Sequence, residues 1–184
     1  NALGMYEGAI IVTEPDTGRI LALVSKPDFD PNTISEVWDD LVNDSNSSVL
    51  VNRATQGLYP PGSTFKILTA LEYIRENPLT YQNYSFDCNG RFTSGEDTIR
   101  CFHGTKHGKV DFTTSFAKSC NSSFANMGLT LSRTSFEDTL SSLYFNQSLP
   151  VDLTSNISKV SIGTSSSDSD LIQTVIGQGT TQMT

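Results

Sequence analysis

The chain lacks most of the features that mark large functional classes. No apolar run reaches the length of a membrane span, and no signal peptide is visible. Its 12 basic residues are outnumbered by 20 acidic ones, giving a net charge of -8, and they form no stripe. That argues against nucleic-acid binding. There are only two histidines, one tryptophan and three cysteines, and an odd cysteine count argues against a pure disulfide framework. No internal repeat is present. What remains, 184 residues at 36% hydrophobic and 17% charged, is enough for one sizeable core and predicts one domain, residues 1–184. The chain starts abruptly with Asn-Ala-Leu-Gly and ends in Gln-Met-Thr, so it reads as an excised piece of a longer protein.

Gly8–Glu14 and Arg19–Ser25 are β-rich runs joined by the turn composition Pro15-Asp16-Thr17-Gly18. They predict an antiparallel hairpin, apolar enough to be largely buried. Residues 26–52 read as a polar loop with a short helix around Ile34–Val42. A helix is expected from Ser63 to Glu76, stopped by Asn77-Pro78, with Ile67, Leu68, Leu71 and Ile74 as its buried stripe. Residues 81–110 look like loop. Short helices are expected over Phe112–Lys118, Ser122–Leu131 and Ser135–Leu143, the last capped by Thr134 or Ser135. Residues 144–169 carry little core signal. Strands first, helices clustered in the middle and no βαβ alternation predict an α+β fold.

Chemistry enters at Tyr59-Pro60-Pro61-Gly62-Ser63-Thr64-Phe65-Lys66. On a helix, Ser63 and Lys66 share a face one turn apart. A serine hydroxyl is a poor nucleophile until a base takes its proton, and a partly desolvated lysine can be that base. With 24 serines and 6 lysines, chance alone supplies about one Ser-x-x-Lys at this length. A second pair, Ser115/Lys118, is indeed present. Context favours the first, because Pro60-Pro61-Gly62 delivers Ser63 to a helix start. The competing reading of Ser63 is a simple N-cap.

About fifty residues later comes Ser119-Cys120-Asn121, the chain's one Ser-x-Asn, just before a predicted helix. Ser-x-x-Lys followed by Ser-x-Asn resembles the penicillin-binding and serine β-lactamase superfamily, whose third motif is Lys-Thr-Gly. The flanking text resembles a class B penicillin-binding protein. Gly8-Ala9 through Ala22-Leu23-Val24, Lys26–Asn32, Asn52-Arg53-Ala54 and Gly177-Gln178-Gly179 all resemble segments of that family, in order.

The resemblance implies the N-terminal part of a transpeptidase domain, a helical cluster against an antiparallel sheet. It implies peptidoglycan D,D-transpeptidation and acylation by β-lactam antibiotics. It also implies a membrane-anchored protein on the extracytoplasmic face, with stem peptides as substrate and a glycan polymerase as partner. Ser63 then resembles the nucleophile and Lys66 its base. Ser119 resembles the serine bridging lysine and leaving group, and Asn121 the amide that holds the substrate. The alternatives are a β-lactam-hydrolysing or β-lactam-sensing domain, or a non-catalytic interaction domain of the same fold.

The departure from the family is the third motif. No Lys-Thr-Gly, Lys-Ser-Gly or His-Thr-Gly follows Asn121, and the last lysine is Lys159. A domain truncated before that strand, and inactive by itself, is the expectation. Catalysis of this type requires no cofactor. Cys88, Cys101, His107 and Cys120 could form a Cys3His zinc site, with His103 able to replace His107. A Cys88–Cys101 disulfide and three buried free thiols are the alternatives. The resemblance to elongation-type enzymes implies a structural zinc beside the Ser-x-Asn loop.

Overall fold

In the computed structural model, which describes residues 2–45 and 48–184, the Pro15–Gly18 turn joins β1 (Gly8–Thr13) to β2 (Ile20–Lys26). The strands pair antiparallel from Gly8↔Lys26 to Thr13↔Ile20, with a bulge at Val12/Thr13. Glu14 closes the turn by accepting from Thr17 Oγ1 and pairing with Arg19, a hairpin-edge role. Helix α1 (Ile34–Asn43) follows as expected. Residues 46 and 47 of the predicted loop lie outside the described residues.

Two compact units emerge from the contacts. The smaller runs to Tyr59 and includes Ser148–Asn156 and Thr184; the larger comprises Pro60–Gln147 and Ile157–Met183. In the smaller unit the expected burial of the hairpin does not hold: Ile11, Val12, Ile20, Leu21 and Val24 are all exposed. Apolar composition sets which strands form, but burial needs further layers, and β1 and β2 form a sheet of two strands only. Arg53 is buried there, bonded to Ser48 and ion-paired with Glu7.

In the larger unit a 3₁₀ turn (Gly62–Phe65) leads into α2 (Lys66–Glu76), which ends at Asn77 as the Asn-Pro stop predicts. The expected buried stripe is wrong. Ile67, Leu71 and Ile74 are exposed, and the buried residues are Lys66, Thr69, Ala70 and Glu72. The polar positions 66, 69 and 72, spaced by three, share a face, and each is drawn inward by partners. Lys66 meets the Ser119 loop, Thr69 Oγ1 donates to the Val175 carbonyl at 2.8 Å, and Glu72 accepts from Arg75 Nε at 2.8 Å and Thr139 Oγ1 at 2.7 Å. Satisfied hydrogen bonds offset the burial cost that hydrophobic periodicity takes for granted.

The segment read as loop holds four short strands. β3 (Ser85–Cys88) pairs with β6 (Gly108–Asp111), and β4 (Arg91–Ser94) pairs with β5 (Asp97–Arg100), both antiparallel. At four residues each, with one or two inward side chains such as Phe86, Phe92, Ile99 and Val110, they carry too little alternation to register as strands. Helices α3 (Phe112–Ala117), α4 (Asn121–Gly128) and α5 (Arg133–Ser142) follow close to expectation. The cap of α5 is Ser132, whose hydroxyl accepts from Ser135 N–H, rather than Thr134 or Ser135.

The low-signal region also contributes to the core. Phe145, Val160 and Ile162 are buried, and α6 (Asp168–Thr174) is capped by a box between Ser167 and Asp170. Phe65 lies at the centre, edge-on to Phe145 with centroids 5.6 Å apart and tilted against Phe136 at 6.3 Å. Phe124, Met127, Leu140, Leu171 and Val175 belong to the same cluster. Helices with separate antiparallel strand pairs make this an α+β fold.

Glu72 ties α2 to α5 while wholly buried, so its loss leaves Thr139 without its acceptor and Arg75 without its carboxylate. Glu72→Ala is expected to lower unfolding free energy in urea by about 2–4 kcal/mol. A change under about 0.5 kcal/mol, the scale of ordinary surface substitutions, would show that the tie is idle.

Candidate active site

The Pro60-Pro61-Gly62 approach is held by backbone close contact. Gly62 N–H donates to the Gly177 carbonyl at 2.9 Å. Gly177 has φ +70°, and a Cβ there would sit 2.2 Å from the Gly62 carbonyl oxygen. Only glycine meets both demands. Gly177-Gln178 thereby docks on the turn that carries Ser63, and Gln178 reaches the cavity in front of it.

Ser63 lies inside the 3₁₀ turn, and neither the turn nor α2 is capped by a side-chain hydrogen bond. The N-cap reading of Ser63 therefore fails. Its Oγ instead lies 3.2 Å from Lys66 Nζ, the start of α2 following the turn without a break. Lys66 is 2% exposed. Its Nζ meets the Ser119 carbonyl at 2.7 Å, Ser119 Oγ at 2.9 Å and Asn121 Oδ1 at 2.5 Å, with the Phe124 ring centroid at 5.6 Å. Burial pushes the Lys66 ammonium down to about 8, with the electrostatic influence of nearby Cys120 and Cys101 working the other way.

The partner set can serve a neutral amine as well as an ammonium, whose third N–H would meet a hydroxyl oxygen. The Ser119 carbonyl and Asn121 Oδ1 can only accept, so they take the two N–H donors of an uncharged lysine. The lone pair is then free for a hydroxyl proton, from Ser63 on one side or Ser119 on the other. Ser119 can turn both its carbonyl and its hydroxyl toward Lys66 because its backbone is left-handed, φ +50°. For a serine this costs about 1–2 kcal/mol, and such strain collects at functional sites.

Ser63, Lys66, Ser119 and Asn121 are thus brought together. Asn121 is engaged at both ends of its amide, since Nδ2 donates to the Arg100 carbonyl at 2.9 Å. Ser115/Lys118 is no second pair: Ser115 is fully buried and bonded to Ser123 Oγ at 2.7 Å. Lys118 instead lines the Ser63 cavity of about 530 Å³, as do Phe102 and Gln178. Motif spacing does not mark Phe102; it arrives there because its neighbours Cys101 and His107 are fixed.

Those neighbours form a cluster with Cys88 and Cys120 in which all four donor atoms lie within 4.8 Å of one another. Cys88 Sγ is 3.7 Å from Cys101 Sγ and 3.5 Å from His107 Nδ1, and Cys101 Sγ is 3.8 Å from Cys120 Sγ. A tetrahedral zinc with Zn–S near 2.3 Å and Zn–N near 2.0 Å requires edges of about 3.5–3.8 Å. A disulfide requires about 2.05 Å, and the cysteines are free thiols in this structure. His103 is not part of the cluster; it packs edge-on to Phe102 in the exposed turn. Burial opposes ionisation of Cys88, but backbone N–H groups of His107 and Gly90 outweigh it and bring the thiol down to about 6. Burial pushes Cys120 up to about 12.

Residues 8–184 match the family model of the penicillin-binding protein transpeptidase domain. The chain belongs to this family. Among its relatives, the peptidoglycan D,D-transpeptidase PbpA of Mycolicibacterium smegmatis is 34% identical over 137 residues, 68% of this chain and 28% of that protein. The peptidoglycan D,D-transpeptidase MrdA of Escherichia coli is 38% identical over 122 residues, 63% of this chain and 19% of that protein. The imipenem acyl-enzyme complex of penicillin-binding protein A from M. tuberculosis superposes with TM-score 0.83 at 27% identity, covering 96% of this chain and 43% of that one. These relatives make the chain a class B penicillin-binding protein of the elongation type, over part of the domain.

The burial of Lys66 has a direct spectroscopic consequence. In protein labelled with ¹³C at lysine, one Cε resonance, absent from Lys66→Met, is expected to titrate near pH 8. A midpoint at the ordinary value of 10.5 would contradict the desolvated environment.

Proposed function

We propose that the protein of which residues 1–184 form part is a peptidoglycan D,D-transpeptidase, working through an acyl-enzyme on Ser63. The observation that carries this reading is Lys66 Nζ set between Ser63 Oγ, at 3.2 Å, and Ser119 Oγ, at 2.9 Å. Neutral Lys66 takes the proton as Ser63 Oγ bonds to the carbonyl carbon of the penultimate D-Ala. The C–N bond then breaks, and the proton passes through the Ser119 hydroxyl to the leaving D-Ala nitrogen. An amine from a neighbouring strand attacks the ester, returns its proton along the same path and frees Ser63. Asn121 holds Lys66 and borders the substrate cavity.

Residues 1–184 make up the N-terminal part of the domain in this reading. The matched stretch covers 28% of the M. smegmatis relative, and the reading assigns the strand bearing Lys-Thr-Gly to a region of the domain outside it. By itself this part is inactive. The complete protein works on the extracytoplasmic face, anchored to the membrane and partnered by a glycan polymerase. No helix among the described residues is long and apolar enough to cross a membrane.

The reading also assigns a structural zinc to Cys88, Cys101, His107 and Cys120, supported by the donor spacings. Catalysis needs no cofactor. The metal's part is to fix the loops on either side of Ser119, since Cys120 lies between Ser119 and Asn121.

Two measurements test these assignments. Full-length protein is expected to form a covalent adduct with labelled penicillin that is lost in Ser63→Ala; no adduct, or one that survives the substitution, defeats the enzyme reading. Protein purified without chelator is expected to hold close to one equivalent of zinc by elemental analysis, falling in Cys88→Ser. Less than about a tenth of an equivalent would sink the metal assignment.

A further inference from the structure

One face of the segment between Cys101 and His107 is not explained by the acyl site. Phe102, Thr105 and His107 line the Ser63 cavity, whereas Gly104 and Lys106 line a separate cavity of about 390 Å³. The segment is therefore a partition with a cavity on each side. The second cavity is completed by Asn89, Gly90, Arg91 and Arg100. It is built by close approach: Gly90 has φ +96°, its carbonyl accepts from Cys101 N–H at 3.0 Å, and a Cβ on it would stand 2.5 Å from the Gly104 carbonyl oxygen. Arg100, on its other side, lends its carbonyl to Asn121 Nδ2 at 2.9 Å.

The charges in this cavity have no ion-pair partner among the described residues. Arg91 and Arg100 are directly opposite one another in the β4–β5 register, both exposed, with Lys106 on the facing loop. Like charges so placed oppose pairing of the strands. Among the described residues, no ion pair engages any of the three, and the side-chain hydrogen bonds that reach Arg91 and Arg100 go to their backbones and not to their guanidinium groups. Shortage of acids is not the reason, since 20 acidic residues face 12 basic ones. The inner face of the same hairpin carries Phe92 and buried Ile99, which account for its packing without the arginines.

We propose that Arg91, Arg100 and Lys106 bind a carboxylate of the peptide substrate whose reacting end occupies the Ser63 cavity. The inference rests on the transpeptidase reading and adds that the favoured substrate is an acidic stem peptide. Two guanidinium forks with an adjacent ammonium match a carboxylate in shape and charge. A peptide crossing the partition at Phe102–Lys106 reaches both cavities at once. A phosphodiester polymer would satisfy the same charges, but it has no group for Ser63 to acylate.

The test uses full-length protein and two soluble donor peptides ending in D-Ala-D-Ala, one with its side-chain carboxylate free and one with it amidated. Titration with labelled penicillin counts competent molecules in each preparation. Wild-type protein is expected to favour the acid over the amide in kcat/KM by about tenfold. That ratio should fall to near one in Arg91→Gln/Arg100→Gln and persist in the control Lys109→Gln, which lies outside both cavities. The double variant should also melt no lower than wild type, because it removes an opposed like-charge pair.

An unchanged ratio in the double variant, no preference in wild type, or a lowered melting temperature would overturn the proposal. So would inhibition by poly(glycerol phosphate) that depends on the arginines while the carboxylate preference is absent. A wild-type protein that takes no penicillin would instead overturn the transpeptidase reading, and this inference with it.

Discussion

The buried amine of Lys66 is the interaction on which the larger unit depends. A lysine 2% exposed has to be satisfied, and its partners come from distant parts of the chain: Ser63 from the preceding turn, Ser119 and Asn121 from more than fifty residues away. Meeting that demand orients α2. The helix turns its polar positions 66, 69 and 72 inward, and Ile67, Leu71 and Ile74 are left exposed. The same demand holds Ser119 in a left-handed backbone that a serine otherwise avoids.

Two supports keep this arrangement in place. On one side Gly177 meets the turn before Ser63 at backbone distance. On the other, the Cys88, Cys101, His107 and Cys120 cluster gathers three loops behind Ser119-Cys120-Asn121. Neither support supplies a proton or a nucleophile. Both limit how far Ser63 and Ser119 can drift from Lys66, and the acyl transfer proposed for Ser63 would be steeply sensitive to such displacement. The partition between Cys101 and His107 is a consequence of the cluster, because its two ends belong to that cluster.

Much of the site was legible in the chain. Ser63, Lys66, Ser119 and Asn121 belong to short motifs whose spacing reflects local geometry, and the four donors of the cluster were visible as the right residue types. Burial was less legible. The hairpin β1–β2 looked like core and is exposed, while Phe145, Val160 and Ile162 looked like loop and are core. Periodicity reports which residues are able to be buried, whereas burial itself depends on what packs against them. The choice of His107 over His103 likewise followed from a turn, in which His103 has φ +51° and lies edge-on to Phe102 in solvent.

By itself the sequence determined the chemical inventory: a serine and a lysine three apart, a Ser-x-Asn, three cysteines with two histidines, and the glycines that permit close approach. These are properties of residue type and short separation, which need no knowledge of the fold. Only the tertiary structure decided that Ser63/Lys66 is joined to Ser119 while Ser115 is sealed in the interior, and that Arg91 and Arg100 stand opposite one another with no acidic partner among the described residues. Those outcomes depend on contacts between residues far apart in the chain. Such contacts are fixed by packing and by the pairing of buried polar groups, and neither leaves a periodic trace in the sequence.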